Sequence, residues 1–235
     1  MNLTKEIEKL SRNYGVDYFG IADLKLAKDF IADQGGEIVS EYPFSITLGI
    51  KLQNSIVDQL PKKNTDNGIA VNYYFHGYQV INQRLDFVSS LIGSFIGNKG
   101  FKALPIPAAE RIDNERICAS FSHKLGANLA GLGWIGKSCL LVTPDHGPRV
   151  RFTTILSDAP LKPKNKILEN RCGECNECVK ICPANAFSGK AFAQNEPREE
   201  RYDARKCEKF FDKMKEKGEK PVCGLCLFAC PFGRK

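Results

Sequence analysis

The chain has 235 residues, 43% of them hydrophobic, and a formal net charge of +7 at pH 7. A chain of this length can bury the core of one sizeable domain and still form a smaller second domain. Its first residues show no apolar leader segment, and no run reaches the ~18 uninterrupted apolar residues of a membrane span, so we expect a cytoplasmic protein without a membrane segment.

Helical and extended patterns alternate as far as about residue 157. The clearest helix is a long one, in which apolar residues return every three or four positions from Val80 to Phe95. Apolar segments bounded by polar or glycine-rich turns predict strands. Predicted helices cover 3–14, 24–32, 54–60, 72–96 and 120–132, and predicted strands cover 16–22, 45–52, 101–107, 139–143 and 150–156. The alternation predicts an α+β protein with an α/β core over residues 1–160 and a second domain over residues 161–235.

Near residue 134, glycines surround the only tryptophan of the chain. The segment reads Gly131-Leu-Gly-Trp-Ile-Gly-Lys137. Glycines let the backbone approach a large flat ligand, and their N–H groups can hold it, so this segment is the best candidate for a cofactor-binding edge. Gly131 and Gly136-Lys137-Ser138 also meet P-loop spacing, but a P-loop needs a strand before it and a helix after it. The predicted order here is reversed, and we interpret that match as accidental.

The tail begins with a dense cysteine run, Cys172-Gly-Glu-Cys175-Asn-Glu-Cys178-Val-Lys-Ile-Cys182-Pro183. Four thiols fall within eleven residues, at gaps of three, three and four, and a proline follows the last. This is the spacing of bacterial ferredoxins, in which three thiolates bind one [4Fe–4S] cluster and the fourth binds another. The run therefore predicts a ferredoxin-like domain with two [4Fe–4S] clusters.

A shorter copy of the run, Cys223-Gly-Leu-Cys226-Leu-Phe-Ala-Cys230-Pro231, lies at the end of the chain. When the two prolines are aligned, Lys220 occupies the position of Cys172, and Cys207 between the runs is the available replacement. The last cysteine of each run is expected to cross over to the other cluster. The predicted ligand sets are Cys172, Cys175, Cys178 and Cys230 for one cluster, and Cys182, Cys207, Cys223 and Cys226 for the other.

Two other interpretations of these eight cysteines stay open, namely two structural zinc sites with four thiolates each, or disulfides. Zinc explains neither the three-cysteine loop with its crossing fourth nor the Cys-Pro that ends both runs. Ten cysteines in a chain without an export signal favour metal ligands in a reducing compartment. Cys118 and Cys139 fall outside both sets, and we interpret them as small buried hydrophobes rather than catalytic thiols.

From Pro160 onward the chain is basic, with 17 Lys or Arg against 11 Asp or Glu. Such a surplus can indicate nucleic-acid binding. Each [4Fe–4S]2+ site with four thiolates carries a formal charge of about −2, so two clusters would offset about −4 of the surplus. We therefore expect no nucleic-acid partner.

Three segments and the cysteine tail together resemble the epoxyqueuosine reductase family, whose members are cobalamin-dependent and related to reductive dehalogenases. The segments are Ala130–Lys137, Leu141-Val-Thr-Pro-Asp-His-Gly-Pro148 and Leu156-Ser-Asp-Ala-Pro-Leu161. The resemblance implies a nitroreductase-like core, a corrinoid between that core and the cluster domain, and electrons passing through the clusters to cobalt. The residues that it implies would line the corrin are Gly131, Gly133, Trp134, Gly136, Lys137 and Ser138.

Two departures from the family imply a different substrate. The family has an acidic proton donor seventeen positions before the tryptophan, where this chain has Ile117. The family's tRNA-binding extension is not found after Cys230, so we expect a small-molecule substrate. His123 and Lys124 are the polar residues most available to face it, with His123 as a proton donor or anion contact and Glu110 as a weaker candidate. Each also fits an ordinary surface or packing role.

The sequence leaves three functions open. The first is a corrinoid-dependent iron–sulfur reductase of a small molecule, supplied by a low-potential donor such as ferredoxin or flavodoxin. The second is an electron-transfer or corrinoid-reactivating partner with no substrate of its own, whose glycine–tryptophan segment would dock a corrinoid protein. The third is an enzyme with FMN in place of the corrinoid, because nitroreductase-like folds often hold FMN.

Overall fold

The computed structural model describes residues 2–164, 166–194 and 196–234. Its contacts divide the chain into two compact units, each built from separate stretches. The first unit contains Met1–Ile50, Ile81–Leu132 and Arg151–Leu168, and the second contains Lys51–Val80, Gly133–Val150 and Glu169–Lys235. The second unit therefore includes two stretches of the front region as well as the cysteine-rich tail. A division into domains at residue 160 stays a prediction.

The structure mixes helices and strands, as expected for an α+β protein. The helices are α1 (Leu3–Asn13), α2 (Lys28–Gly35), α3 (Glu37–Ser40), α4 (Asn54–Val57), α5 (Asn67–Tyr74), α6 (Val80–Gly97), α7 (His123–Leu129), α8 (Glu177–Lys180), α9 (Ala204–Glu216) and α10 (Leu225–Ala229). The strands are β1 (Tyr18–Asp23), β2 (Phe44–Lys51), β3 (Ala103–Ile106), β4 (Trp134–Ile135), β5 (Leu141–Val142) and β6 (Val150–Ser157). All five predicted strands overlap observed ones, and β4 was not predicted. No helix among the described residues is both long enough and apolar enough to cross a membrane.

The first unit is built on a four-stranded sheet with the order β1-β2-β6-β3. Strands β1 and β2 pair antiparallel, and so do β3 and β6, with Ile106 opposite Thr154. Helix α7 packs against β1, and the close approach needs Gly20, because a Cβ there would lie 2.8 Å from the Cβ of Ala130. The core of this unit includes Phe121, which is 1% exposed and contributes about 2–3 kcal/mol by burial. A nitroreductase-like identity of this core stays a prediction.

The predicted continuous helix over residues 72–96 is wrong in one respect. Helix α5 ends at Tyr74, a π-helical turn spans Phe75–Gln79, and α6 begins at Val80. Within the turn, Gly77 packs against the ring of Tyr73, and a Cβ there would lie 2.7 Å from Tyr73 Cδ2. Such π turns inside helices are rare and frequently found at functional sites. Periodicity could not reveal this turn because the apolar residues keep helical spacing on both sides of it.

The second unit contains little sheet. Strands β4 and β5 form a two-stranded antiparallel hairpin, with Trp134 opposite Val142. The short helix α8 packs against α10. The longer helix α9 is N-capped by Asp203, whose carboxylate accepts a hydrogen bond from the Lys206 N–H. These three helices bring the cysteines of the tail together.

Candidate iron–sulfur centres

The cysteine residues of the tail lie on short elements of the second unit. Cys178 lies on α8, Cys207 on α9 and Cys226 on α10, and the others occupy the adjoining turns. All ten cysteines of the chain are free thiols in this structure. The described residues contain no group of three or more His, Cys, Asp or Glu arranged to hold a single metal ion.

The first thiol group is formed by Cys172, Cys175, Cys178 and Cys230. Burial, followed by the charges of Cys172, Cys230 and Cys175, raises the pKa of the Cys178 thiol to about 11. Burial is also the main cause of the raised pKa of Cys230, and the charges of Cys172 and Cys175 add to it. Cys230 is more than fifty positions away from Cys178 in sequence, yet its charge acts on Cys178, and the charges of Cys172 and Cys175 act on Cys230. The structure therefore brings together one of the two predicted ligand sets.

The second thiol group is formed by Cys182, Cys207, Cys223 and Cys226. Burial raises the pKa of Cys226 most, and the charges of Cys223, Cys207 and Cys182 raise it further. The smallest contribution to the same pKa comes from Cys178, a member of the first thiol group. Cys182 likewise raises the pKa of both Cys207 and Cys223, in each case after burial as the main cause. These electrostatic effects place Cys182 near the other three thiols, as the predicted ligand set requires.

The raised pKa values show that ionising these thiols is unfavourable when no metal is bound. Gathering four thiols in a partly buried place disfavours the thiolate form, because each new charge meets others and little water. A bound metal centre reverses that preference, since a coordinating thiol is deprotonated outright. The two groups thus have the donor chemistry and number that two [4Fe–4S] clusters need. The assignment of each cysteine as a ligand stays a prediction.

Backbone donors support the first thiol group. The backbone N–H groups of Phe232 and Gly233 lower the pKa of the Cys230 thiol, and the Gly233 N–H donates to the Cys230 carbonyl oxygen at 3.0 Å. Asn170 fixes the other side, because its Oδ1 accepts from the Cys172 N–H at 2.8 Å while its Nδ2 donates to the Ile135 carbonyl at 3.0 Å. Hydrogen bonds to cluster sulfurs are among the features that set reduction potentials.

The Pro231–Gly233 turn that follows Cys230 is held in place by a buried arginine. Arg149 is 1% exposed, and its Nη1 donates to Asn54 Oδ1 at 2.9 Å. Its Nη2 lies 2.7 Å from Asp58 Oδ1, which neutralises the charge. Gly233 lies against this side chain so closely that a Cβ would be 2.8 Å from Arg149 Nε. Arg149 therefore helps to position the backbone donors of Cys230.

The glycine–tryptophan segment forms the β4–β5 hairpin and its turn. A Cβ on Gly133 would lie 2.4 Å from the Val142 carbonyl oxygen, so that glycine permits the hairpin itself. A Cβ on Gly136 would lie 2.8 Å from Val142 Cγ2 and 3.5 Å from the sulfur of Cys172. Gly131 has a φ of +74°, a conformation that favours glycine. Gly136 thus lies against the first thiol group, through Cys172.

Trp134 is 1% exposed and packs edge-on against Phe232, with ring centroids 4.9 Å apart. Arg171 lies over the indole at 5.8 Å from its centroid. The indole Nε1 is buried and has no hydrogen-bond partner among the described residues, which costs about 1–3 kcal/mol. A bound group that offers an acceptor would relieve that cost, and this is the one feature of the segment that fits an added cofactor.

Two further residues of the predicted cofactor edge are also buried. Lys137 is 9% exposed, and its Nζ donates to Asn176 Oδ1 at 3.1 Å. Ser138 is 6% exposed. Neither side chain is directed to open solvent in this structure, and their role toward a corrinoid stays a prediction.

His123 opens helix α7 and is held on both sides of its ring. Its Nε2 lies 3.1 Å from the Pro107 carbonyl oxygen, which can only accept, so Nε2 is the protonated nitrogen. Its Nδ1 lies 3.0 Å from Thr154 Oγ1, which can then donate to it. Burial lowers the pKa of His123 to about 4, and the nearby charge of Lys124 lowers it further, while the Pro107 hydrogen bond opposes both effects. His123 is therefore neutral at pH 7, and a catalytic role for it stays a prediction.

Glu110 lies near a second carboxyl group that the sequence analysis did not select. Burial raises the pKa of Asp86, and the charge of Glu110 adds to it, although the Ala108 N–H hydrogen bond opposes the shift. Asp86 accepts that bond at 2.8 Å. The structure places Glu110 beside Asp86, and a catalytic role for Glu110 stays a prediction.

Sequence reasoning missed the residues that surround the second thiol group. Tyr202 is hydrogen-bonded to Cys207, and burial chiefly raises its own pKa. Lys63 is 7% exposed although it lies in a loop that reads as polar. No sequence signal could have identified either residue. Lys63 acts on Cys223, which is distant in the chain, and Tyr202 bonds to Cys207, which lies on a different element.

Comparison with known proteins agrees with this geometry. Residues 171–233 match the family described as the 4Fe-4S double cluster binding domain. The chain is 25% identical to the epoxyqueuosine reductase of Pseudomonas aeruginosa, over 99% of this chain and 69% of that protein. It is 23% identical to the tetrachloroethene reductive dehalogenase of Sulfurospirillum multivorans, over 99% of this chain and 50% of that protein.

Among solved structures, the fold is similar to that of a reductive dehalogenase whose structure suggests a mechanism for B12-dependent dehalogenation. The TM-score is 0.69 at 19% identity, and the match covers 97% of this chain but 31% of the dehalogenase. The chain therefore spans about two thirds of the epoxyqueuosine reductase and half or less of the dehalogenases.

Proposed function

We propose that this protein is an iron–sulfur oxidoreductase, because it is similar to epoxyqueuosine reductases and reductive dehalogenases and its residues 171–233 match the 4Fe-4S double cluster binding domain. In this proposal, a low-potential donor such as ferredoxin or flavodoxin reduces the two clusters. The electrons then pass to a bound corrinoid, and the final acceptor is a small molecule. The proposal includes a nitroreductase-like core in the front region.

The observation that best supports an electron relay is the grouping of the eight thiols. Each group has four members. The first takes three cysteines from neighbouring positions and one from a distant part of the tail, and the second takes two neighbouring cysteines and two from earlier in the tail. The charge of Cys178 acts on Cys226, so the two groups lie close enough to influence each other electrostatically. Adjacent clusters can exchange electrons without any proton donor or nucleophile, and that is the simplest chemistry for this arrangement.

The corrinoid is proposed from the relatives and from the buried Trp134 Nε1, for which no described residue supplies a hydrogen-bond partner. A corrinoid would supply a cobalt centre that takes electrons from the clusters. The residues proposed to hold it are Gly131, Gly133, Trp134, Gly136, Lys137 and Ser138. The contribution of the protein itself would be to shield the clusters and to position the Cys230 turn through Arg149 and Phe232.

The test begins with anaerobic purification and analysis for iron, cobalt and zinc. We expect about eight iron atoms per chain, four for each cluster. Titration of the reduced protein with cob(II)alamin should then give a saturable change in the corrinoid absorption spectrum. Protein stripped of its clusters should show a corrinoid rather than a flavin spectrum if the cofactor is retained on purification.

The matched control is Trp134→Phe, which keeps the aromatic contact with Phe232 and removes only the indole N–H. Cob(II)alamin should bind this variant more weakly while the iron content is unchanged. Zinc in place of iron would refute the whole proposal. Two full clusters with no corrinoid spectral change would refute the corrinoid and leave the electron relay standing.

A further inference from the structure

The buried Lys63 has no carboxylate partner among the described residues. It is 7% exposed, and its Nζ donates to Asn64 Oδ1 at 3.0 Å. An amide oxygen satisfies one of the three ammonium protons but supplies no negative charge. Burying a cation is costly unless an opposite charge faces it. The position of Lys63 therefore calls for an anionic neighbour.

The elements that contact Lys63 and the turn before it carry cysteines of the second thiol group. Its ammonium lies 6.0 Å from the ring centroid of Phe210, one helical turn after Cys207 on α9. The 3-10 turn Leu60–Lys62, which immediately precedes it, packs against α10, the helix of Cys226. These contacts bring Lys63 and the turn before it to the two helices that carry Cys207 and Cys226.

The third contact is made by the residue after Cys223. A Cβ on Gly224 would lie 2.7 Å from Leu60 Cδ1, so the turn that precedes Lys63 meets the chain directly behind the Cys223 thiol. Burial raises the pKa of Cys223, and the positive charge of Lys63 opposes that rise. Lys63 and the turn before it thus contact the segments that carry three members of the group, and the charge of Lys63 acts on Cys223.

We propose that Lys63 is the counter-cation of the [4Fe–4S] cluster held by Cys182, Cys207, Cys223 and Cys226, and that it raises the reduction potential of that cluster. The inference rests on the clusters of the proposed function but not on the corrinoid. A one-electron donor reduces the cluster core from 2+ to 1+, and the cluster with its four thiolates goes from about −2 to about −3. The attraction of a fixed positive charge grows in that step, so the reduced form is stabilised more than the oxidised form.

The experiment is a redox titration of the protein with both clusters, using dithionite and mediators, with the reduced clusters followed by EPR. Lys63→Met keeps an unbranched side chain of similar length and removes the charge, whereas Lys63→Arg keeps the charge. Lys62→Met is the matched control, because Lys62 is the adjacent lysine, is exposed, and changes the net charge equally.

In Lys63→Met, the ratio of reduced to oxidised cluster at a fixed potential should fall about tenfold for one of the two clusters. For a one-electron couple that is a shift of 59 mV to a more negative potential. The other cluster should shift by less than half as much. Lys63→Arg should restore most of the lost ratio, and Lys62→Met should change either ratio less than twofold.

Several results would overturn the inference. They are an unchanged titration in Lys63→Met with full iron content, equal shifts of both clusters, or the same shift in Lys62→Met. If Lys63→Met fails to retain its clusters, Lys63→Gln is titrated in its place against the same criteria. A wild-type protein without reducible iron would instead refute the clusters themselves, and that outcome is seen before any variant is made.

Discussion

The crossing of the last cysteine in each run can be tested by counting iron in paired variants. In the structure the charge of Cys230 acts on Cys178, and those of Cys172 and Cys175 act on Cys230. The charge of Cys182 acts on Cys207, Cys223 and Cys226. Replacing one ligand by alanine should destroy the cluster to which it belongs. Each single variant should therefore lose about four of the about eight iron atoms.

The pairs distinguish the two possible connections. Cys172→Ala with Cys230→Ala removes two ligands of the same predicted cluster, so the double variant should lose no more than a single variant does, about four iron atoms. Cys172→Ala with Cys182→Ala removes one ligand from each cluster and should leave almost no iron. If each run instead bound its own cluster, the two pairs would exchange results.

The assay is iron and sulfide content after anaerobic reconstitution, with EPR of the dithionite-reduced protein. Cys118→Ala is the control, because Cys118 lies outside both thiol groups, and its iron content should equal that of the wild type. Complete iron loss in the Cys172 and Cys230 pair, with half retained in the Cys172 and Cys182 pair, would refute the crossed arrangement. Complete loss in every single variant would mean that the two clusters cannot form separately.

Two further predictions concern stability. The pKa of His123 is about 4 in the folded protein and about 6.5 in the unfolded chain. Its contribution to stability is therefore present above pH 6.5 and lost as pH falls to about 4, and it amounts to at most about 3 kcal/mol. NMR titration of the imidazole checks this, and a folded pKa near 6.5 would contradict it. In urea unfolding, Gly147→Ala should destabilise the protein by about 1–3 kcal/mol more than Gly218→Ala does. Both glycines have a positive φ, but only at Gly147 would an added Cβ meet backbone, 2.4 Å from the Gly233 nitrogen. Equal losses in the two variants would show that the tight contact at Gly147 is not maintained.

The observed contacts also give the glycine–tryptophan segment a structural purpose. The hairpin needs Gly133 for its own backbone packing and Gly136 for the approach to Cys172. Trp134 packs on Phe232, two residues after Cys230. The segment that the sequence singled out as a cofactor edge therefore also contacts the first thiol group, through Gly136 and Trp134.

The sequence alone determined the class of fold, the relatives and the chemistry of the tail. Thiol spacing is a local property, because three ligands of one cluster must lie within a few residues, so the run from Cys172 to Cys182 can be recognised without a structure. Strand positions followed for the same reason, since apolar runs between turns are local signals. The similarity to epoxyqueuosine reductases, inferred from short motifs, is confirmed by the comparisons.

Only the tertiary structure decided which distant residues meet. The gathering of Cys230 with the first run, the burial of Arg149 behind the Cys230 turn and the position of Lys63 beside the second thiol group all depend on contacts between separate stretches of chain. Lys63 is buried although its neighbours in the sequence are polar, and both ring nitrogens of His123 have hydrogen-bond partners within the protein. Burial and electrostatic environment are set by what packs around a residue, and neither hydrophobic periodicity nor ligand spacing contains that information.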